Sequence, residues 1–196
     1  MEITKQFFID RSTLPILFPT HAHPPLFWEQ LGRTIATFGF LEEVLGKAIF
    51  AFTGTRKYEA HEIEDAYKAW LPKLESALTD SLGKLAESYG KAVRENQDST
   101  VKNVHELVRN IKETTTIRNA LCHGSWRSPD AEGKSLLLFF STKTEIFEIR
   151  IDIQFLRQVQ DHVRDIACDV IDTVTQMGWQ FPGGVGPGET IWSHHQ

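Results

Sequence analysis

The chain of 196 residues has 41% hydrophobic and 24% charged residues, a balance typical of globular proteins. This composition excludes disordered, collagen-like and low-complexity chains, and the length suits one domain better than two. The formal net charge of −5 argues against a protein that coats long stretches of nucleic acid, because such a protein needs a broad basic surface.

Sequence features also bear on location. No stretch reaches the roughly 20 uninterrupted apolar residues of a membrane span, and residues 1–10 lack the pattern of a secretory signal. Two cysteines, Cys122 and Cys168, do not make a disulfide framework, which favours a reducing compartment. We therefore expect a cytoplasmic protein with no membrane partner. No metal and no cofactor are expected, because the sequence shows neither the carboxylate cluster of divalent-ion catalysis nor a glycine-rich phosphate loop.

Residues 1–24 are predicted to form an irregular arm, because the prolines at positions 15, 19, 24 and 25 interrupt any helix. Apolar residues at positions 7–8 and 16–18 predict that this arm packs against the body of the protein. The pair His21 and His23 could bind a metal, but no carboxylate or cysteine lies nearby in sequence. The pattern favours a solvated arm.

A first long helix is predicted to begin after Pro25 and to end near Thr53-Gly54, because apolar residues recur there at spacings of three and four. Gly32, Gly39 and Gly46 repeat every seven residues along it. Glycine is a poor helix former, so such a stripe predicts the close approach of another helix. That helix would belong to the same chain or to a second subunit.

Two further helical regions follow. The region 60–95 keeps the helical spacing, with a break or a kink expected near Leu71 because Pro72 follows. The third helix is predicted from about Thr100, capped by Ser99, to Cys122, with Gly124 as its stop.

The pattern then changes to short strands. Residues 136–140 and 145–151 predict a β-hairpin at about 135–151, with its turn at 141–144. A last long helix is predicted after Asp152, which would cap it, and it would end at Gly178 before a flexible tail, 179–196. The order predicts an all-α helical bundle over 25–178, with a small β-hairpin before the last long helix.

The third helix carries an arginine where its pattern calls for an apolar residue. With Ile111 at the centre of the apolar stripe and about 100° per residue, Arg118 falls within roughly 20° of that centre. Cys122 falls on the same stripe and is expected to be a small core residue. Because an unpaired buried guanidinium is very costly, either Arg118 pairs with a buried carboxylate or the stripe faces a cleft. Glu42 and Glu43 of the first helix are the candidate supporting carboxylates.

Asn119 and His123 lie beside this arginine, at roughly 80° and 120° from the stripe centre. The guanidinium can bind a phosphate through two hydrogen bonds, the imidazole can transfer a proton near neutral pH, and the amide can orient the imidazole ring or the scissile group. The segment 101–127 has five basic and two acidic residues, a local net charge of +3. The structural alternative is that Arg118 forms a core ion pair and His123 merely ends the helix.

The segment Ile117-Arg118-Asn119-Ala120-Leu121-Cys122-His123-Gly124 resembles the motif of HEPN-domain proteins, an arginine followed after four to six residues by histidine. The resemblance implies a HEPN-type helical bundle that cleaves RNA without a metal. It also implies a homodimer in which the motifs of two bundles line a shared cleft. By position, Arg118 would hold the phosphate and His123 would act as acid or base. Asn119 would orient the imidazole ring or the scissile group.

The resemblance also limits the choice of branch. One toxin branch has a tyrosine two residues after the histidine, where this chain has Ser125. The hairpin before the last helix is more similar to abortive-infection HEPN proteins, which implies a toxin or antiviral defence role and a possible antitoxin or regulatory protein as partner. The alternatives are a catalytically silent HEPN module that binds RNA, a nucleotide or a protein, and a plain helical interaction protein.

Overall fold

The computed structural model describes residues 7–57, 59, 61–77, 79–140 and 146–191. These residues form a mostly helical protein with a small three-stranded antiparallel sheet before the last helix, in the order β1-β2-β3. The elements are α1 (Pro25–Gly54), α2 (Ile63–Ala77), α3 (Leu82–Glu95), α4 (Val104–His123), β1 (Ser125–Trp126), β2 (Ser135–Phe140), β3 (Ile146–Ile151) and α5 (Ile153–Thr175). None of the described helices is long and apolar enough to cross a membrane.

The core lies between α1 and the helices that pack on it, chiefly α5 and α3. Leu41, Leu45 and Phe52 of α1 are fully buried, as are Tyr89 of α3 and Val163 of α5. Asp152 caps α5 by accepting a hydrogen bond from the Phe155 amide at 2.7 Å, which confirms the predicted cap. The predicted extent of α1 is confirmed as well.

The glycine stripe of α1 faces away from this core. A Cβ atom added at Gly32, Gly39 or Gly46 would meet no atom of the described residues within 4 Å. Ile35, on the same side of the helix, is 40% exposed. No described helix of the same chain therefore covers the stripe, and its contact with a second subunit stays a prediction.

Two predicted helix boundaries are wrong. The helix α2 continues through Pro72 to Ala77, and the interruption falls between α2 and α3 instead of near Leu71. Proline removes the hydrogen bond to the carbonyl of residue 68, but Lys68 and Leu71 are exposed, so water can serve that carbonyl. The helix α4 begins at Val104 and not near Thr100, because Asn103 takes a left-handed conformation with φ of 62°.

The predicted hairpin is confirmed as β2 and β3, which pair antiparallel with Leu137 opposite Ile149. The structure adds a strand that the sequence pattern did not reveal: β1 pairs with β2, with Trp126 opposite Leu137. A two-residue strand is too short for an alternating pattern to register. The predicted turn at 141–144 lies outside the described residues.

The N-terminal arm differs from expectation, and the C-terminal segment makes contacts of its own. Phe8, Ile16 and Leu17 of the arm are 70–88% exposed, so these apolar side chains do not pack against the body. His23, expected in a solvated arm, is only 8% exposed. Residues 179–191, expected in a flexible tail, include a backbone bridge between Trp179 and Glu189, and the Trp179 ring packs 5.6 Å from that of Phe52.

Candidate functional site

On one side of α4, the last two turns are exposed to solvent and do not pack in the core. Ile111 and Thr114 are buried, but Cys122, which shares the side of Ile111, is exposed. Ala120 is fully buried and lies about 180° around the helix from Ile111. Burial therefore moves around α4 toward the sheet at its end, and the expectation that Cys122 is a small core residue is wrong. The end of the predicted stripe is open.

Arg118 lies on this open end and is paired with an acid. Its Nη2 atom lies 3.4 Å from Oε1 of Glu42 on α1, and the two side chains are 31% and 28% exposed. Its Nη1 atom donates a hydrogen bond of 3.3 Å to Oδ1 of Asn119. The guanidinium thus has a partly exposed carboxylate partner and also faces solvent.

The two candidate carboxylates differ. The Oε1 atom of Glu42 is buried and accepts no hydrogen bond in the described residues, so its contact with Arg118 is an ion pair without hydrogen-bond alignment. Glu43 instead points to its own helix, where Oε1 lies 2.7 Å from Nζ of Lys47. Among the two, only Glu42 is brought to Arg118.

His123 is the last residue of α4, and its side chain is exposed. The residue after it leaves no room for a side chain: a Cβ on Gly124 would collide with the Leu137 side chain and lie 2.5 Å from the Ala120 carbonyl oxygen. Gly124 has φ of −75°, so the chain needs glycine here for close approach to the sheet and not for a left-handed turn. Packing of β2 against Gly124 therefore fixes the chain immediately after His123.

The positive charge predicted around the motif is largely neutralised. Lys112 pairs with Glu87 of α3 at 2.7 Å, and Arg118 pairs with Glu42 of α1. Arg109 lies 3.6–3.7 Å from Glu106 and Glu113 within its own helix. The acids that α1 and α3 bring to α4 could not be read from the local sequence, because they lie far away in the chain. The surface around the motif is accordingly mixed in charge.

An aromatic cluster that the sequence did not predict lies behind this site. The His23 ring stacks on Phe27 at 4.4 Å, and its Nε2 atom shares a hydrogen bond with Oγ of Ser135. Trp28 and Trp126 contact the same ring edge-on, at 5.1 and 6.4 Å. The cluster joins the arm and α1 to β1, which follows His123 by two residues. About a hundred residues separate His23 from Trp126, so no local pattern signals their contact.

The comparisons with known proteins add no family to this picture. No protein-family model, curated protein or solved structure matches the chain. Within the residues that the structure describes, no three His, Cys, Asp or Glu side chains are grouped so as to hold a metal ion. The arrangement of Arg118, Asn119 and His123 on the open end of α4 is thus the observation on which a function must rest.

Proposed function

We propose that the protein is a HEPN-type endoribonuclease that cleaves RNA without a metal and acts in the cytoplasm, in a toxin or antiviral defence role. The observation that carries this proposal is the placement of Arg118, Asn119 and His123 together at the open end of one helix. The side chains of Arg118 and Asn119 are half-buried, and that of His123 is exposed. A phosphodiester can approach them without unfolding any described element.

The chemistry assigns one role to each group. The 2′-hydroxyl oxygen attacks the adjacent phosphorus, and the bond from phosphorus to the 5′-oxygen breaks, which leaves a 2′,3′-cyclic phosphate and a 5′-hydroxyl. His123 transfers a proton in this step, and Arg118 binds the phosphate and stabilises the charge that develops on it. Asn119, already hydrogen-bonded to the guanidinium, orients it. This mechanism uses no metal ion and no cofactor.

A second copy of the chain is the partner we propose first. The face of α1 that carries Gly32, Gly39 and Gly46 is open along its length, and a two-fold dimer would cover such a face with the same face of the partner. Glu42 lies close to that face and contacts Arg118, so the proposed interface and the proposed site are neighbours. An antitoxin or regulatory protein is a further proposed partner.

One observation favours a second candidate function, a catalytically silent HEPN module that binds RNA, a nucleotide or a protein. Glu42 already occupies one side of the Arg118 guanidinium. A phosphate would have to displace this carboxylate or share the guanidinium with it. In the silent module the ion pair would be purely structural, and Arg118 would not contact a substrate.

Cleavage in excess EDTA separates the two functions. We expect the purified protein to cut single-stranded RNA in EDTA and to leave cyclic phosphate ends. Arg118→Lys should cut far more slowly while melting normally, because a point charge cannot replace a fork of two hydrogen bonds. Cleavage that EDTA abolishes and magnesium restores would contradict the mechanism. A protein that cuts no RNA but binds a partner would favour the silent module.

A further inference from the structure

His23 is a titratable group held at the junction between the N-terminal arm and the sheet. Its side chain is 8% exposed and contacts the rings of Phe27, Trp28 and Trp126. Its Nε2 atom shares a hydrogen bond with Oγ of Ser135, the fully buried first residue of β2. The arm is also tied down nearby, since Nε1 of Trp28 donates a 2.9 Å hydrogen bond to the Thr20 carbonyl.

The second ring nitrogen of His23, Nδ1, is buried and has no hydrogen-bond partner in the described residues. In the neutral ring, Nε2 can donate to Ser135 while Nδ1 carries only a lone pair, which is a tolerable arrangement. A protonated ring would place an N–H donor and a positive charge at Nδ1, with no acceptor to receive either.

Among the described residues, no charged side chain contacts the ring. Its contacts are three aromatic rings and one hydroxyl. On the elements that pack against it, the nearest charged or titratable groups in sequence are exposed or already paired. They are His21 on the arm, Glu29 on α1 paired with Arg33, Arg127 after β1, and Lys134 before β2 paired with Glu132.

A cavity beside Pro24 and Phe27 adds two further acids. Asp130 is paired with Arg150, and Asp152 accepts a hydrogen bond from the Phe155 amide. Both of these carboxylates therefore already have a partner.

We propose that His23 is an acid-sensitive latch, which holds the arm on the sheet while its imidazole is neutral and releases the arm when Nδ1 is protonated. Burial lowers the pKa of His23 below its usual 6.5, in agreement with the geometry. The unfolded chain therefore takes up this proton more readily than the folded one. The stability that the latch contributes is complete above about pH 6.5 and is lost as the pH falls below it.

Three proteins test the latch: the unmodified chain, His23→Gln and His105→Gln. Glutamine can donate to Ser135 but cannot be protonated, and His105 is an exposed histidine on α4 that serves as the matched control. We expect the stability of the unmodified chain, relative to His23→Gln, to fall between pH 8 and pH 5. The His105→Gln variant should follow the unmodified chain throughout. A constant difference between the unmodified chain and His23→Gln would overturn the proposal.

A second measurement uses only the unmodified protein and does not depend on the folding of a variant. In the unmodified protein, the NMR titration of the His23 ring should have its midpoint below the usual 6.5 of histidine. Amide hydrogen exchange, corrected for its intrinsic pH dependence, should rise in residues 7–24 and 125–137 on the acid side of that midpoint. A His23 midpoint at or above 6.5, or protection of both segments that does not change across the midpoint, would overturn the latch.

Discussion

Arg118 of α4 and Glu42 of α1 face each other across the helix pair, with Nη2 and Oε1 separated by 3.4 Å. Both side chains keep about a third of their surface in solvent, so the pair is neither a core ion pair nor a free surface one. Such pairs stabilise a fold by roughly 0–1 kcal/mol. The contact therefore matters more for where the guanidinium points than for the stability of the bundle.

Glu42→Gln tests this positioning role, with Glu43→Gln as the matched control on the same helix. Glu42→Gln should lower the free energy of unfolding by no more than about 1 kcal/mol, because the pair is partly exposed. The variant should lower the rate of RNA cleavage clearly, because the guanidinium of Arg118 loses the charge that holds it in position. Glu43→Gln, which disturbs only the pair with Lys47, should leave cleavage unchanged. Equal effects of the two variants on cleavage would contradict a specific role for Glu42.

The packing of Leu137 on Gly124 makes a prediction about the end of α4. Gly124→Ala places a methyl group against the Leu137 side chain and the Ala120 carbonyl, and should destabilise the protein by about 1–3 kcal/mol. Denaturant unfolding measures this loss. Gly54→Ala, at the open end of α1, is the control and should cost nothing comparable. A Gly124→Ala variant as stable as the unmodified chain would show that the sheet does not pack closely against residue 124.

The open stripe of α1 leads to a prediction about assembly. Within a monomer, Gly39→Ala should stabilise α1 by roughly 0.5–1 kcal/mol, because alanine is the better helix former and nothing described lies within 4 Å. If a second copy packs there, Gly39→Trp should convert a two-fold dimer to a monomer. Sedimentation compares the two masses directly. An unmodified chain that sediments as a 22.4 kDa monomer at micromolar concentration would contradict the dimer.

The sequence predicted most of the helical scaffold because long amphipathic periods leave a strong signal. The extent of α1, the start of α5 and the Asp152 cap followed from that spacing, whereas α5 ends at Thr175 and not at Gly178. The interruption near Pro72 did not, because a surface helix can leave one carbonyl to water and continue. Sequence rules describe the conformation that a residue prefers locally. Here water can bond the carbonyl that Pro72 leaves free, which removes the expected energetic cost.

The candidate site was only half predictable for a different reason. Periodicity placed Arg118 on the apolar stripe and suggested an acid from the first helix, but it could not choose between Glu42 and Glu43. It also placed Cys122 in the core, because it could not foresee that burial at the end of α4 moves to the opposite side of the helix, at Ala120. The burial of His23 was missed for the same cause, since its contacts come from Trp126 and Ser135 far along the chain.

His123→Ala tests the central proposal most directly, because this exposed side chain ends its helix and its loss should leave the fold intact. We predict that the variant melts like the unmodified chain and cleaves RNA roughly 10²–10⁴-fold more slowly, the usual scale for general acid–base catalysis. His105→Ala, an exposed histidine on the same helix, should cleave normally. Cleavage by His123→Ala at the rate of the unmodified chain would contradict the ribonuclease mechanism.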